Sequence, residues 1–156
     1  KRQKQFGFIK GRSTSLQLLN LVDYWTECLE VGGQIDVIYT DFEKAFDKIP
    51  FKRLISKLHS YGFNVAVIRW IESFLINRHF TVRINAKSSA WNPVTSGVPQ
   101  GSVLGPILFV LYINDLPSVC SLSDTSMFAD DAKLYRHVKD NSDANLCSVA
   151  QLSKVV

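Results

Sequence analysis

The sequence predicts an α+β fold with a largely antiparallel sheet and packed helices. Three observations carry that prediction. Helical and strand periods occur in irregular order, without the strict alternation of a doubly wound sheet. The strand-like runs are short and rich in β-branched and aromatic residues. Late in the chain, two such runs flank a tight acidic turn (Asp130-Asp131) that a hairpin would explain.

Composition narrows the class further. The 156 residues are 46% hydrophobic and 21% charged, with a mean hydropathy of +0.04. That suits one globular domain and excludes disorder, collagen and coiled coil. The longest apolar run, Pro106 to Ile113, is far short of the roughly 20 residues a membrane span needs, so no membrane partner is expected. The basic N-terminus has no apolar stretch after it, unlike a secretory signal. Three scattered cysteines, Cys28, Cys120 and Cys147, give neither a disulfide framework nor a zinc motif and point to the cell interior. The net charge of +4 and pI of 9.0 are compatible with a polyanionic partner, which many basic proteins lack.

Periodicity sets the elements in order. Ser15 to Val31 carries Leu18, Leu19, Leu21, Val22, Trp25 and Leu29 as a helical stripe that Gly32-Gly33 ends. Gln34 to Thr40 reads as a strand. Pro50 opens a helix from Phe51 to Tyr61 with Gly62 as its stop, and Asn64 caps a second one to Asn77. His79 to Asn85 alternates like a strand, with Trp91 to Thr95 as partner. Ser102 to Asp115 is apolar nearly all round, as in a buried helix. Pro106 belongs in its first turn, because an interior proline costs about 3 kcal/mol. Thr125 to Ala129 and Ala132 to Val138 form the hairpin, and a weak helix starts near Ser142.

Three stretches carry chemistry, and each has a plainer reading. Asp41-Phe-Glu-Lys-Ala-Phe-Asp47 follows an apolar strand; Thr40 and Glu43 alternatively suit the capping box of a helix start. Phe128-Ala-Asp-Asp131 is either a polar hairpin tip or a cation site. Adjacent carboxylates repel unless a divalent ion offsets them, and Mg²⁺ takes oxygen ligands of this kind. Gly97-Val-Pro-Gln-Gly101 is either a loop that a flat ligand approaches closely or the lead into a helix capped by Ser102.

Taken together and in this order, the three stretches resemble the central motifs of reverse transcriptases. The resemblance is closest to the jockey-like LINE group of non-LTR retrotransposons. Gln5-Phe-Gly-Phe-Ile-Lys-Gly-Arg-Ser-Thr14 and Leu111-Tyr-Ile-Asn-Asp-Leu-Pro117 match that group's surrounding sequence, so the likeness covers nearly the whole chain. It implies an RNA-directed DNA polymerase that adds dNTPs to a DNA primer on an RNA template. The fold implied is a polymerase palm over residues 35–156, with a fingers-side segment over residues 1–34. By the same resemblance Asp41, Asp130 and Asp131 are the catalytic metal ligands, joined by the Phe42 carbonyl. Two Mg²⁺ ions are implied, with Mn²⁺ as a substitute. Phe46 falls on the steric gate against a ribose 2′-hydroxyl. Gln100, Gly101 and Ala129 fall beside the incoming nucleotide, and Lys10, Arg12 and Ser13 on nucleic-acid backbone.

Ile9 departs from the group, which has arginine there. Glu43 and Asp47 are assigned to capping or surface. His59, His79 and His137 are isolated and receive no catalytic role, and Cys28 and Cys147 read as core. Only five residues precede Phe6-Gly-Phe8, and little follows Asp131. The expectation is therefore a piece of a larger polyprotein, lacking thumb and endonuclease, that acts in the nucleus or cytoplasm. A group II intron maturase-type enzyme and an inactive relic that only binds nucleic acid are the alternatives. Alone, these 156 residues are expected to be inactive.

Overall fold

The computed structural model describes residues 4–120 and 123–139, which form two compact units. Of the described residues, the first takes those up to Phe42 and from Ile113 onward, the second Glu43–Tyr112. The architecture is mixed helix and antiparallel sheet. Among the described residues no helix is long and apolar enough to cross a membrane.

In the first unit, helix α1 (Thr14–Glu30) lies against a three-stranded sheet of order β1-β7-β6. The strands are β1 (Gln34–Thr40), β6 (Asp124–Phe128) and β7 (Asp131–Val138). Both ladders are antiparallel, with Gln34 opposite Val138 and Asp124 opposite Tyr135. The apolar stripe predicted for α1 is only partly the packed face. Leu21 and Cys28 are buried and Trp25 meets Tyr135 edge-on at 6.1 Å, but Leu18, Leu19, Val22 and Leu29 are more than half exposed. The inward face instead includes a polar residue: buried Gln17 donates from Nε2 to Ser126 Oγ at 2.9 Å. A buried amide with a partner costs little, whereas an orphan would cost about 1–3 kcal/mol. Burial drives the Cys120 thiol above its ordinary range.

In the second unit, α2 (Phe51–Ser60) and α3 (Val65–Leu75) pack together through Leu54, Leu58, Ile68 and Leu75. The Asn64 cap forms, its side chain accepting from Ala66 N–H at 2.8 Å. The strand predicted over His79 to Asn85 is broken. Its ends become β2 (His79–Phe80) and β3 (Arg83–Ile84), which pair with β5 (Asn92–Pro93) and β4 (Lys87–Ser88) respectively. The break has a hydrogen-bonding cause. The Thr81 hydroxyl donates to Ser89 O at 2.9 Å and Val82 N–H to Ser89 Oγ at 3.0 Å, so side chains replace ladder bonds there. Asn85 and Ala86, both at positive φ, then close a two-residue turn.

Helix α4 (Leu104–Ile113) starts two residues later than predicted and keeps Pro106 in its first turn. Ser102 Oγ accepts from Gly105 N–H at 2.9 Å and so caps it. Leu108, Phe109 and Ile113 are buried, and Ile107 is the outward exception. A short helix α5 (Leu116–Val119) follows. The predicted tail helix from Ser142, and Cys147, lie outside the described residues.

Candidate active site

The last residues of β1 and the first of β7 form the floor of the site. Their register ends with Thr40 opposite Ala132, and the Thr40 hydroxyl donates to Ala132 O at 3.0 Å. One step beyond that pair, Asp41 leaves β1 just where Asp131 enters β7. The hairpin loop is Ala129-Asp130, because Phe128 already pairs with Asp131. The turn is thus displaced by one residue from the prediction, and Asp131 is a strand residue. Ala129 takes φ 55°, while Asp130 does not have positive φ. That is the φ pattern of a type II′ turn, which normally uses glycine at its first position.

Asp41, Asp130 and Asp131 therefore share one end of one sheet. Asp41 and Asp131 are exposed and Asp130 is half-buried. Their oxygen donors fit a hard divalent cation. Among the described residues, however, no three acidic, histidine or cysteine side chains are gathered closely enough to hold an ion. Backbone placement brings the three aspartates near; the side chains are not drawn together.

The helix start predicted at Thr40 to Asp47 does not form. Thr40 spends its hydroxyl on Ala132, and Glu43 pairs with Lys48 at 2.5 Å, so neither closes a capping box. Residues 43–48 instead make turns, with Lys44 at φ 52°. The hydrogen bond from Lys48 holds the Glu43 carboxyl below its ordinary range.

In the second unit the Phe46 ring stacks on Phe109 with centroids 4.3 Å apart and planes 18° from parallel. Its backbone carbonyl accepts from Val98 N–H at 2.9 Å. Asp47 binds the glycine–proline loop at three points. Its carbonyl accepts from Ser96 Oγ at 2.7 Å, and its carboxylate accepts from Gln100 Nε2 at 3.1 Å. Gly97 also packs so closely that an added Cβ would sit 2.6 Å from Asp47 Cα. Asp47, predicted as capping or surface, is exposed and also anchors that loop. Gly101 has φ 80° and open space around it. Asp47, Gly97 and Gln100 border an open groove of about 600 Å³, lined also by Lys44, Arg78 and Phe80.

Lys10 is exposed. The Arg12 guanidinium donates to Gln5 O and lies 5.6 Å over the Phe6 ring, and Ser13 caps α1 by accepting from Leu16 N–H at 3.1 Å. Two residues given no individual role in the sequence reading surround the acidic turn. Gln5 is buried and hydrogen-bonded to Ala129, and Gly7 lies against the backbone of Ala129. A glutamine just before Phe6-Gly-Phe8 was the only sequence sign of them.

Comparison with known proteins fits this arrangement of motifs. Residues 2–155 match the family model for reverse transcriptase (RNA-dependent DNA polymerase). The chain is 33% identical over 114 residues to the RNA-directed DNA polymerase from mobile element jockey of Drosophila melanogaster, covering 73% of this chain and 12% of that protein. It is 33% identical over 133 residues to an X-element transposon polymerase of the same fly, covering 83% of this chain and 14% of that protein. Over 85 residues it is 22% identical to the Pol polyprotein of retrotransposable element R2 from Popillia japonica, covering 54% of this chain and 14% of that protein. The chain thus spans about one eighth of the length of the jockey and X-element relatives. With these relatives on the non-LTR side, the chain belongs to the reverse transcriptase (RNA-dependent DNA polymerase) family.

Proposed function

We propose that this chain supplies the catalytic palm of a non-LTR retrotransposon polymerase, extending a DNA primer with dNTPs on an RNA template. The observation that carries the proposal is the β1–β7 register, which sets Asp41 beside Asp131 and next to the Asp130 turn. Drawing three carboxylates from one sheet end onto a common point would cost repulsion that divalent cations offset. Asp41, Asp130, Asp131 and the Phe42 carbonyl would hold two Mg²⁺, with Mn²⁺ as substitute; when bound, such ions would supply activation of a primer 3′-hydroxyl and charge neutralisation at the leaving pyrophosphate.

The remaining roles fall to this chain's own side chains. Phe46, held flat against Phe109, is a rigid surface that leaves no room for a 2′-hydroxyl. Gln100 and Gly101 stand beside the incoming nucleotide and template base, with Ala129 on the acidic turn. Lys10, Arg12 and Ser13 meet nucleic-acid backbone, where cations contribute affinity without reading sequence. Residues 1–34 act on the fingers side and residues 35–156 as palm core. The rest of a polyprotein, including thumb and endonuclease, is the partner, and the substrates place the work in nucleus or cytoplasm.

The test is primer extension on an RNA template with Mg²⁺, using a chain extended at both ends to the length of its relatives. Asp130→Ala and Asp41→Ala should each abolish incorporation. Undiminished activity in either variant would refute the proposal.

A further inference from the structure

The segment before α1 meets β6 through one parallel bridge, Gln5 to Met127. Met127 N–H donates to Lys4 O at 2.7 Å and Phe6 N–H to Met127 O at 2.8 Å, with Gln5 bridging to Met127. Gln5 is only 5% exposed, an unusual position for a long polar side chain. Its Oε1 accepts from the backbone N–H groups of Phe6 at 2.9 Å, Gly7 at 2.8 Å and Ala129 at 3.0 Å. Its Nε2 donates to Ala129 O at 3.3 Å. Three N–H donors face one atom, so that atom must be the amide oxygen, and the orientation of the amide is fixed.

Both backbone groups of Ala129 are thus taken by one side chain 124 positions away. Ala129 needs such a hold. It has φ 55°, a left-handed conformation costing a residue with a Cβ about 1–2 kcal/mol. Gly7 completes the grip, since a Cβ there would lie 2.2 Å from Ala129 N. The next residue is Asp130.

We infer that Gln5 is a positioning residue for the acidic turn: it fixes the Ala129 backbone and thereby the direction in which Asp130 and Asp131 present their carboxylates. This inference rests on the proposed metal-binding role of those aspartates. Outer partners that orient metal ligands typically change metal affinity by about 10- to 100-fold when removed.

The experiment uses the full chain with Mn²⁺ as the probe. It measures Mn²⁺ binding by calorimetry, amide hydrogen exchange over residues 129–131, and thermal unfolding. Gln5→Met keeps the length and loses the hydrogen bonds. Gln17→Met is the matched control, because it breaks another buried glutamine contact nearby, to Ser126 in β6. Gln5→Met should weaken Mn²⁺ binding about 10-fold or more and speed exchange at 129–131. Gln17→Met should lower thermal stability and leave both readouts near wild type. Equal loss of Mn²⁺ affinity in the two variants, or unchanged exchange at 129–131 in Gln5→Met, overturns the inference. Mn²⁺ binding insensitive to Asp130→Asn would instead refute the metal-site reading, and the exchange comparison then decides alone whether Gln5 holds the turn. Should Gln5→Met not fold, Gln5→Asn, one methylene too short to reach Ala129, carries the same comparison.

Discussion

Thr40 and Ala132 stand 92 positions apart in the chain and are the last partners of the β1–β7 ladder, joined by a 3.0 Å hydrogen bond from the Thr40 hydroxyl to the Ala132 carbonyl. Everything proposed for Asp41 and Asp131 depends on that pairing. A slip of one residue would turn every side chain of β1 to the other face.

Convergence of the carboxylates is the first prediction. Side-chain rotation, without movement of the ladder, should bring Asp41 and Asp130 to one ion at about 2.0–2.1 Å from Mg²⁺. A crystal structure of an extended polymerase with primer, RNA and dNTP checks this. Carboxylates held on opposite faces of the sheet would end the two-metal assignment.

Phe46 should set sugar selectivity. In the extended polymerase Phe46→Ala should relax the preference for dNTPs over rNTPs, read as the ratio of kcat/KM for the two. Because Phe46 stacks on Phe109, a double-mutant cycle of the two should also show about 0.5–1.5 kcal/mol of coupling in stability. Equal discrimination by wild type and Phe46→Ala would refute the gate.

Gly97→Ala should destabilise the fold. The new Cβ would meet Asp47 Cα and O at 2.6 Å, and the residue sits at φ 86°. Left-handed strain and overpacking together should cost about 2 kcal/mol or more, measured by urea unfolding. Gly101→Ala has the φ penalty without the clash and should cost less.

Stability should fall at alkaline pH in part through Cys120. Burial raises its thiol pKa in the folded chain, so the folded state keeps a proton that the unfolded chain gives up. The contribution is complete below the unfolded thiol's value of about 8.5 and is lost as pH rises through the folded value. Urea unfolding between neutral and alkaline pH should show a shallower decline in Cys120→Ala. An identical slope would discount burial of the thiol.

The 156 residues on their own should not polymerise. They span about one eighth of the jockey and X-element relatives, and phosphoryl transfer depends on positioning, where small misplacement costs about 10²-fold. Primer extension by the bare chain, lost in Asp130→Ala, would contradict this. Leu18, Leu19 and Val22 exposed on α1 should also make the isolated chain poorly soluble.

Local signals in the sequence determined what depends on neighbouring residues alone. β1 runs from Gln34 to Thr40 as its β-branched pattern required, Asn64 caps α3, and Pro106 lies in the first turn of α4. The order of the acidic, glycine–proline and Phe-Ala-Asp-Asp stretches was enough to identify the family. Only tertiary structure decided where hydrogen-bonding groups found distant partners. Thr40 looked like a helix cap until Ala132 supplied a carbonyl, and exposed Asp47 gave no sign that Ser96 and Gln100 would bond to it. His79 to Asn85 alternated like a strand, but Ser89 took the bonds of Thr81 and Val82. The α1 stripe gave the period of a helix without saying which side meets the sheet, because Gln17 packs inward once Ser126 is there to accept its hydrogen bond. Gln5 was illegible for the same reason. A glutamine side chain spans several ångströms, and what it holds is set by whichever strand arrives beside it.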